Sequence, residues 1–493
     1  SVPVSEVVGV EEGRVHILPK KSVEDTDKDF TVFYVKRCRS GGSYGLLWTL
    51  GRTQFSCPSR VLRDQWIKDL RAAVKNYGPL RPRRLLVFIN PFGGKKKGRK
   101  IYYSLVAPLF ELAGISSHVI VTERANQARD HLLKKDLTGF DGVVCVGGDG
   151  MFSEILHGLI GRTQQEAGIC ENDPSAALQP CSLHIGIIPA GSTDCVCYAT
   201  VGVIDPVTSA LHIVIGDSQP LDVCSVHQAL THRYSVSLLG YGFYGDVLAE
   251  SEKHRWMGPL RYDFSGTMVY LCNRSYAGVV QYIPADPVLS SPRDRTRCLS
   301  GCSVCSRSTD RLVRHPSDSG SLHKSHYGHF NSHSEDEWVT VEGRFRCVSL
   351  TCMSSSCPRS PLGLSPSAHL ADGTGDLILV WNTNPLGFLK YLYRHTGAQD
   401  QFDLPFVEVH RVTAVRFSLP SSKEEGEYEE IDKQKTPDSF LCGLCCATPP
   451  PVSVWNCDGE ILPVTEVFCR IHGQLLRLYA RGIEDQARHN CSE

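Results

Sequence analysis

The sequence predicts an N-terminal open parallel α/β domain, then a C-terminal antiparallel, sandwich-like β domain, with a small strand-and-helix unit in front. Three observations carry this. "LLVFIN" (85–90), "GVVCVGG" (142–148) and "LHIGIIPAG" (183–191) are apolar runs that suit strands buried on both faces. Helix-period stretches alternate with them, from Lys100 to Ala113, at "NQARDHLLKK" (126–135) and at "MFSEILHGLI" (151–160). From about Leu221 onward strand follows strand, separated by turn residues.

Composition narrows the class. The chain has 493 residues, enough for about three domains. Hydrophobic residues make up 41% and charged residues 21%, as in a soluble globular protein. A formal net charge of -1 provides no global field for nucleic acid. No apolar run reaches the roughly 18 residues of a membrane span, and no signal-peptide pattern opens the chain, which starts at Ser1 and reads as a trimmed product. The 21 cysteines are odd in number, and Cys145, Cys195 and Cys197 lie in apolar runs, which favours reduced thiols in a cytoplasmic compartment.

The elements follow in order. Residues 1–30 are polar with short alternating pieces. "FTVFYVKR" (30–37) and "YGLLWTL" (44–50) read as strands. In residues 56–76, Val61, Leu62, Trp66, Leu70, Ala73 and Val74 mark the apolar face of a helix. Strands closed by a helix with a central tryptophan resemble the C-terminal part of a pleckstrin-homology domain, with its first strands missing. A generic helix on a small sheet fits the pattern as well. The expected boundaries are 1–78 for this PH-like part, 80–220 for the α/β domain and 221–483 for the β-rich domain. The helix "SALHIVIG" (209–216) completes the α/β part. The β-rich part contains "LDVCSVH" (221–227), "RYSVSLLGYG" (233–242), "GVVQYIP" (278–284), "EGRFRCVSLT" (342–351), "DLILVWN" (376–382), "RVTAVRFSLP" (411–420) and "PVTEVFCRIHGQLLRLYA" (463–480). Residues 286–336 and 421–452 read as mobile surface insertions.

Four motifs carry chemistry. "INPFGGKKKGRK" (89–100) ends a strand in glycines, within a stretch from Arg81 to Lys100 that holds eight Lys or Arg and no acid. Glycines admit a phosphate to backbone N–H groups at a helix start, although a basic flexible turn would read the same way. In "VCVGGDGMFSE" (144–154), Gly147, Gly148, Asp149 and Gly150 form a strand-to-helix turn where open α/β sheets bind ligands. "IPAGSTDC" (188–195) offers Ser192 and Thr193 to phosphate or ribose, or serves as an ordinary helix cap. "WNCDGEILP" (455–463) sets Asp458 beside Glu460, a pair that can hold Mg²⁺ or simply turn a hairpin. "GYGFYG" (240–245) spells a dinucleotide fingerprint, but with no suitable helix or acid in frame it is rejected.

The order of these motifs resembles the diacylglycerol-kinase catalytic family of lipid kinases, and within it the ceramide-phosphorylating branch. N-P-x-x-G is followed by G-G-D-G with a Glu farther along, then P-x-G-[ST], then D-G-E, and the likeness runs from about residue 80 to 483. Cys298, Cys302 and Cys305 match that branch's C-x3-C-x2-C pattern. The resemblance implies ATP binding by Asn90, Pro91, Phe92, Gly93 and Gly94, by Thr122, Glu123, Arg124, Ala125 and Asn126, and by Glu154, Gly191, Ser192 and Thr193. It assigns two phosphate-facing arginines, Arg255 and Arg261, and closes the nucleotide region with Asp458, Gly459 and Glu460. It makes Asp149 the general acid/base at the acceptor hydroxyl, among Gly147, Gly148 and Gly150, with Asp246 toward the lipid. It implies Mg²⁺ held by Asp149, Asp458 and Glu460. Sphingosine kinases carry a further Asp where this chain has Leu248, which suits an amide-bearing ceramide.

The same resemblance implies an enzyme on the cytosolic face of Golgi and plasma membranes, with phosphoinositide contact through the PH-like part. It also implies calmodulin at 387–402, with Ca²⁺ in a regulatory role. In that stretch Phe388, Leu389, Leu392 and Tyr393 lie beside Lys390, Arg394 and His395, and a half-buried helix is the simpler reading. The alternatives are a sphingosine or diacylglycerol kinase, a catalytically silent membrane adaptor, and a soluble NAD kinase. The three cysteines, with histidines 315, 323, 326, 329 and 333, raise zinc, but the spacing is not a standard set and a mobile loop is expected. "FLCGLCC" (440–446) raises palmitoylation, without an evident juxtamembrane context.

Overall fold

The computed structural model describes residues 2–13, 26–39, 46–77, 81–229, 231–258, 260–286, 291–314, 337–397, 399–420 and 452–485. Residues 421–451 of the expected 421–452 insertion, with "FLCGLCC", and residues 287–290 and 315–336 of the 286–336 insertion, with the five histidines, lie outside them. The chain divides into two compact units. One holds Ser1–Ile155, Ser182–Gln219 and Arg477–Glu493; the other holds Leu156–Cys181 and Pro220–Leu476.

The first unit contains a parallel sheet in the order Ser116–Val121, Arg84–Ile89, Gly142–Gly147, His184–Pro189. Every side chain from Leu85 to Ile89 is fully buried, which accounts for the unbroken apolar run. Leu85, Val87 and Ile89 pack with Tyr102, Val106, Leu211 and Val214 on one face. The helical stretch 98–112 includes one π-type turn, Tyr102–Val106. The short helix Cys195–Val201 was not foreseen.

The N-terminal part of this unit is a three-stranded antiparallel sheet of Val7–Glu12, Asp29–Cys38 and Leu47–Ser56, with the helix Arg60–Tyr77. Two expectations are corrected here. Val7–Glu12 is a real strand, missed among polar neighbours. The helix's buried residues are Arg63 and Ile67, whereas Val61, Leu62 and Trp66 are exposed. Ile67, Leu70 and Val74 pack with Val7, Val10 and Phe30, so the true stripe is rotated from the predicted one. In this part the buried tryptophan is Trp48. Its ring stacks on His212 at 3.8 Å and its Nε1–H donates to Glu484 at 2.8 Å. Arg37 and Arg481 lie over the same ring.

The second unit is largely antiparallel. Val339–Thr351 pairs with Leu239–Gly242, Tyr276–Pro284 and Gly375–Trp381, and Val407–Ser418 pairs with Tyr276–Pro284, Gly375–Trp381 and Val467–Tyr479. Alternation along Gly375–Trp381 sends Leu377 and Leu379 to one core and Ile378 and Val380 to another. The single strand predicted at 233–242 is two, His232–Ser235 and Leu239–Gly242. A helix, Phe243–Lys253, does follow "GYGFYG", contrary to expectation. The preceding strand is antiparallel to both neighbours, so no dinucleotide-binding unit forms. Pro385–Arg394 is a helix with Phe388 and Tyr391 buried. No single helix among the described residues is long and apolar enough to cross a membrane.

Candidate active site

In the first unit the candidate loops leave the carboxyl ends of adjacent parallel strands. Cross-strand bonds continue past the strand ends: Asn90 N–H donates to Val146 at 3.0 Å, Thr122 N–H to Ile89 at 2.9 Å, and Ala190 N–H to Gly147 at 3.1 Å. Asn90 shapes its own loop, its Oδ1 accepting from Phe92 N–H at 2.9 Å and Gly93 N–H at 3.1 Å. Phe92 stays exposed.

The glycines serve close approach between loops. A Cβ on Gly94 would lie 2.6 Å from the carbonyls of Ala190 and Gly191, and Gly94 also has φ +53°. A Cβ on Gly191 would lie 2.5 Å from the Cα of Gly148. The 90–94, 147–150 and 190–194 loops are thus brought together. Gly150 differs, because nothing lies within 4 Å of the place its Cβ would take.

Asp149 opens the helix Asp149–Glu166. Its Oδ2 accepts from Cys195 N–H at 3.1 Å and its Oδ1 from Val196 N–H at 3.0 Å. The aspartate therefore holds the start of Cys195–Val201, a helix whose own preceding residue caps nothing. Burial pushes the Asp149 carboxyl above its ordinary range, against those two donors. Asp194, not singled out in the sequence, is a second buried carboxylate here. It accepts from Gly191 N–H at 3.0 Å, has φ +50°, and is pushed up to about 6 by burial and by Asp149. Ser192 and Thr193 are exposed.

The 122–126 segment behaves unevenly. Thr122 is buried, and its hydroxyl donates to the Ile89 carbonyl at 3.3 Å, so it fastens strand ends instead of facing a ligand. Gln127 Oε1 accepts from Glu123 N–H at 2.7 Å, and Arg124 pairs with Asp130 at 2.7 Å. Asn126 has φ +60° just before its helix, beyond Ala125. Glu154 Oε2 accepts from Ala128 N–H at 3.3 Å, tying this segment to the Asp149 helix.

In the second unit, Asp458 and Gly459 have φ +48° and +92°, the pair of positive values that a two-residue hairpin turn needs. The Asp458 carboxylate accepts from Ser235 Oγ at 3.1 Å and from the N–H groups of Val236 at 2.8 Å, Ser237 at 3.1 Å and Leu238 at 2.7 Å. This nest fills the break between the two strands at 232–242. Burial pushes Asp458 up to about 6 despite those donors. Glu460 is exposed, 3.5 Å from Arg233. The expected pairing of Asp458 with Glu460 on one cation is corrected accordingly: Asp458 is spent on the chain, and Glu460 keeps open oxygens.

Arg255 and Arg261 converge on Glu252, at 2.6 Å from Arg255 Nε and 3.2 Å from Arg261 Nη1. Sequence reasoning missed Glu252. Asp246 is buried, accepting from Tyr276 Oη at 2.6 Å and Ser453 Oγ at 2.5 Å. Burial raises its pKa against those two donors, and the residue lines a small cavity with Phe243, Val269 and Arg346. Leu248 is likewise buried on the same helix.

Comparison with known proteins gives this arrangement a family. The Ceramide kinase PH domain model matches residues 1–70, the Diacylglycerol kinase catalytic domain model residues 84–226, and the Ceramide kinase C-terminal domain model residues 311–492. The chain is 49% identical to the human "Ceramide kinase", spanning 99% of this chain and 90% of that protein. It belongs to the ceramide kinase family. The mouse "Ceramide kinase" is 47% identical over 99% of this chain and 91% of its own length. A solved Bacillus anthracis structure ascribed to a diacylglycerol kinase covers 81% of this chain and 98% of its own, at 14% identity and TM-score 0.50, a likeness of fold. A family member of this kind is an ATP-dependent lipid kinase.

Proposed function

We propose that this chain transfers the γ-phosphoryl group of ATP to the primary hydroxyl of ceramide, giving ceramide 1-phosphate. One observation carries the mechanism. Three loops meet at the carboxyl edge of the parallel sheet through glycine-only contacts, with the Asp149 carboxylate fixed at their junction. Loose phosphoryl-transfer transition states reward positioning and charge neutralisation over strong basicity. The loops at 90–94 and 191–193 offer backbone N–H groups and two exposed hydroxyls to phosphate oxygens. Asp149 accepts the proton of the acceptor hydroxyl, and its raised pKa makes it a better base than an ordinary aspartate. Arg255 and Arg261 serve phosphate once it displaces Glu252.

The exposed carboxylate of Glu460 fits a hard divalent cation and would hold Mg²⁺ through one oxygen ligand. Mg²⁺ bound with ATP supplies neutralisation of the β- and γ-phosphate charge. Asp458 contributes by fixing the 235–238 segment.

Peripheral membrane residence, which the resemblance would put at Golgi and plasma membranes, is in keeping with exposed apolar side chains on Arg255–Met257, Leu260–Cys272 and Pro385–Arg394. Trp256 is 81%, Leu260 65% and Leu386 77% exposed. Phosphoinositide contact is assigned to the PH part. Calmodulin, and with it calcium, would have to draw Phe388 and Tyr391 out of the core or use only the exposed Leu386, Leu389 and Tyr393. An ATP-transfer assay on mixed micelles of ceramide, sphingosine or diacylglycerol tests the substrate: ceramide alone should accept phosphate well, and preference for either other lipid overturns the proposal.

A further inference from the structure

The cysteines at 298–305 do not stand in a structureless loop. Cys305 lies in the helix Ser303–Arg314, Cys302 directly precedes it, and the helix is tied down by a hydrogen bond between Thr309 Oγ1 and Gln474 Oε1 at 3.2 Å. Cys298 Sγ lies 3.6 Å from Cys305 Sγ. Cys302 Sγ lies 3.3 Å from Nδ1 of His369, a buried residue on the connection between Val339–Thr351 and Gly375–Trp381. One ligand atom from each of Cys298, Cys302, Cys305 and His369 lies within 4.8 Å of all the others.

We infer that these four side chains form a tetrahedral structural zinc site. Zinc–sulfur bonds of about 2.3 Å and zinc–nitrogen bonds of about 2.0–2.1 Å place tetrahedral ligand atoms about 3.5–3.8 Å apart. The observed 3.6 Å and 3.3 Å fall at or near that spacing. Three sulfurs and one imidazole are a closed zinc set. The backbone N–H groups of Leu370 and Cys305 also face the sulfurs of Cys298 and Cys302. The other ring nitrogen of His369, Nε2, is buried without a hydrogen-bond partner among the described residues, which leaves the Nδ1 facing Cys302 as the ring's one engaged atom.

The histidine explains why the sequence pattern looked non-standard. The fourth ligand is far along the chain, not among the histidines of the insertion. Zinc here would fasten the 298–314 segment to the 352–374 connection. The thiols lose their protons to solvent on binding, with no redox change.

The test is metal analysis of the full chain purified without added zinc or chelator. About one zinc per chain is expected, falling to about a tenth or less in Cys302→Ser and His369→Ala. His369→Cys should retain the metal. Should the first two variants fail to fold, cobalt exchange into the unmodified protein decides: tetrahedral thiolate–cobalt absorption supports the site. Absence of both zinc and that absorption, or a Cys298–Cys305 disulfide in the purified chain, overturns it.

Discussion

Gly148 and Gly191 meet backbone to backbone: a methyl on Gly191 would stand 2.5 Å from the Cα of Gly148. The Asp194 carboxylate, 2.6 Å from the same point, could swing aside, but the Gly148 backbone could not, so Gly191→Ala must push two loops apart. The expected cost is about 1–3 kcal/mol of stability, with a raised KM for ATP. Thermal unfolding and ATP titration together check it; an unchanged KM would mean the two loops do not share the nucleotide.

Gly150 predicts the opposite split. The space beside it is open in the protein, and it lies in a helix. Gly150→Ala should therefore gain about 0.5–1 kcal/mol of stability. If the space belongs to substrate, the variant should also lose about tenfold or more in kcat/KM. Full activity would place the substrates elsewhere.

Asp149→Asn should lower kcat by about 10²–10⁴. The structure adds a modest folding cost, because Asn turns an amide N–H₂ toward one of two backbone donors, worth about 1 kcal/mol. In the unmodified enzyme activity needs the carboxylate form. Since burial raises that pKa above 3.8, activity should fall with acid through a midpoint above the ordinary carboxylate value. A pH profile whose acid limb lies at or below that value would count against Asp149 as the base.

Asp458 and Glu460 should separate cleanly. Asp458→Asn strips a carboxylate from four donors and should destabilise by about 2–4 kcal/mol. Glu460→Gln should leave unfolding unchanged and raise the Mg²⁺ concentration needed for half-maximal rate. Equal effects of the two variants on stability would refute the division.

His212 gives a stability signature. Its Nδ1 accepts from Arg481 N–H at 3.0 Å, and burial lowers its pKa from 6.5 to about 3. Between those values the unfolded chain binds the extra proton, so stability rises with pH across that window and is lost as pH falls. The slope attributable to His212 is about 1.4 kcal/mol per pH unit. Denaturant titrations at pH 5 and 6 should show it in the unmodified chain, and His212→Gln should flatten it.

The parallel strands and their glycine turns were legible because a strand buried on both faces leaves a continuous apolar run, and a tight strand-to-helix turn leaves glycines. The helix Arg60–Tyr77 was placed rightly but rotated wrongly. Trp66 looks like a core residue, yet Arg63 takes the interior position by donating to the Asp27 carbonyl at 2.7 Å, which no hydrophobicity pattern signals. Asp194 and Glu252 were missed because their roles come from what they face across space. The break at 236–238 was hidden for the same reason, since its donors are satisfied by Asp458. His369 is far in sequence from its cysteines, so only the folded chain brings them together.

Asp149 has two employers. Beyond any part in chemistry, its oxygens hold the start of Cys195–Val201, a buried helix beneath the 190–194 loop. A descendant that abandoned phosphoryl transfer would still face selection to keep this aspartate, simply to fold. Its survival in a relative is therefore weak testimony that the relative is an active enzyme, while the openness beside Gly150, which no fold requirement protects, should drift first.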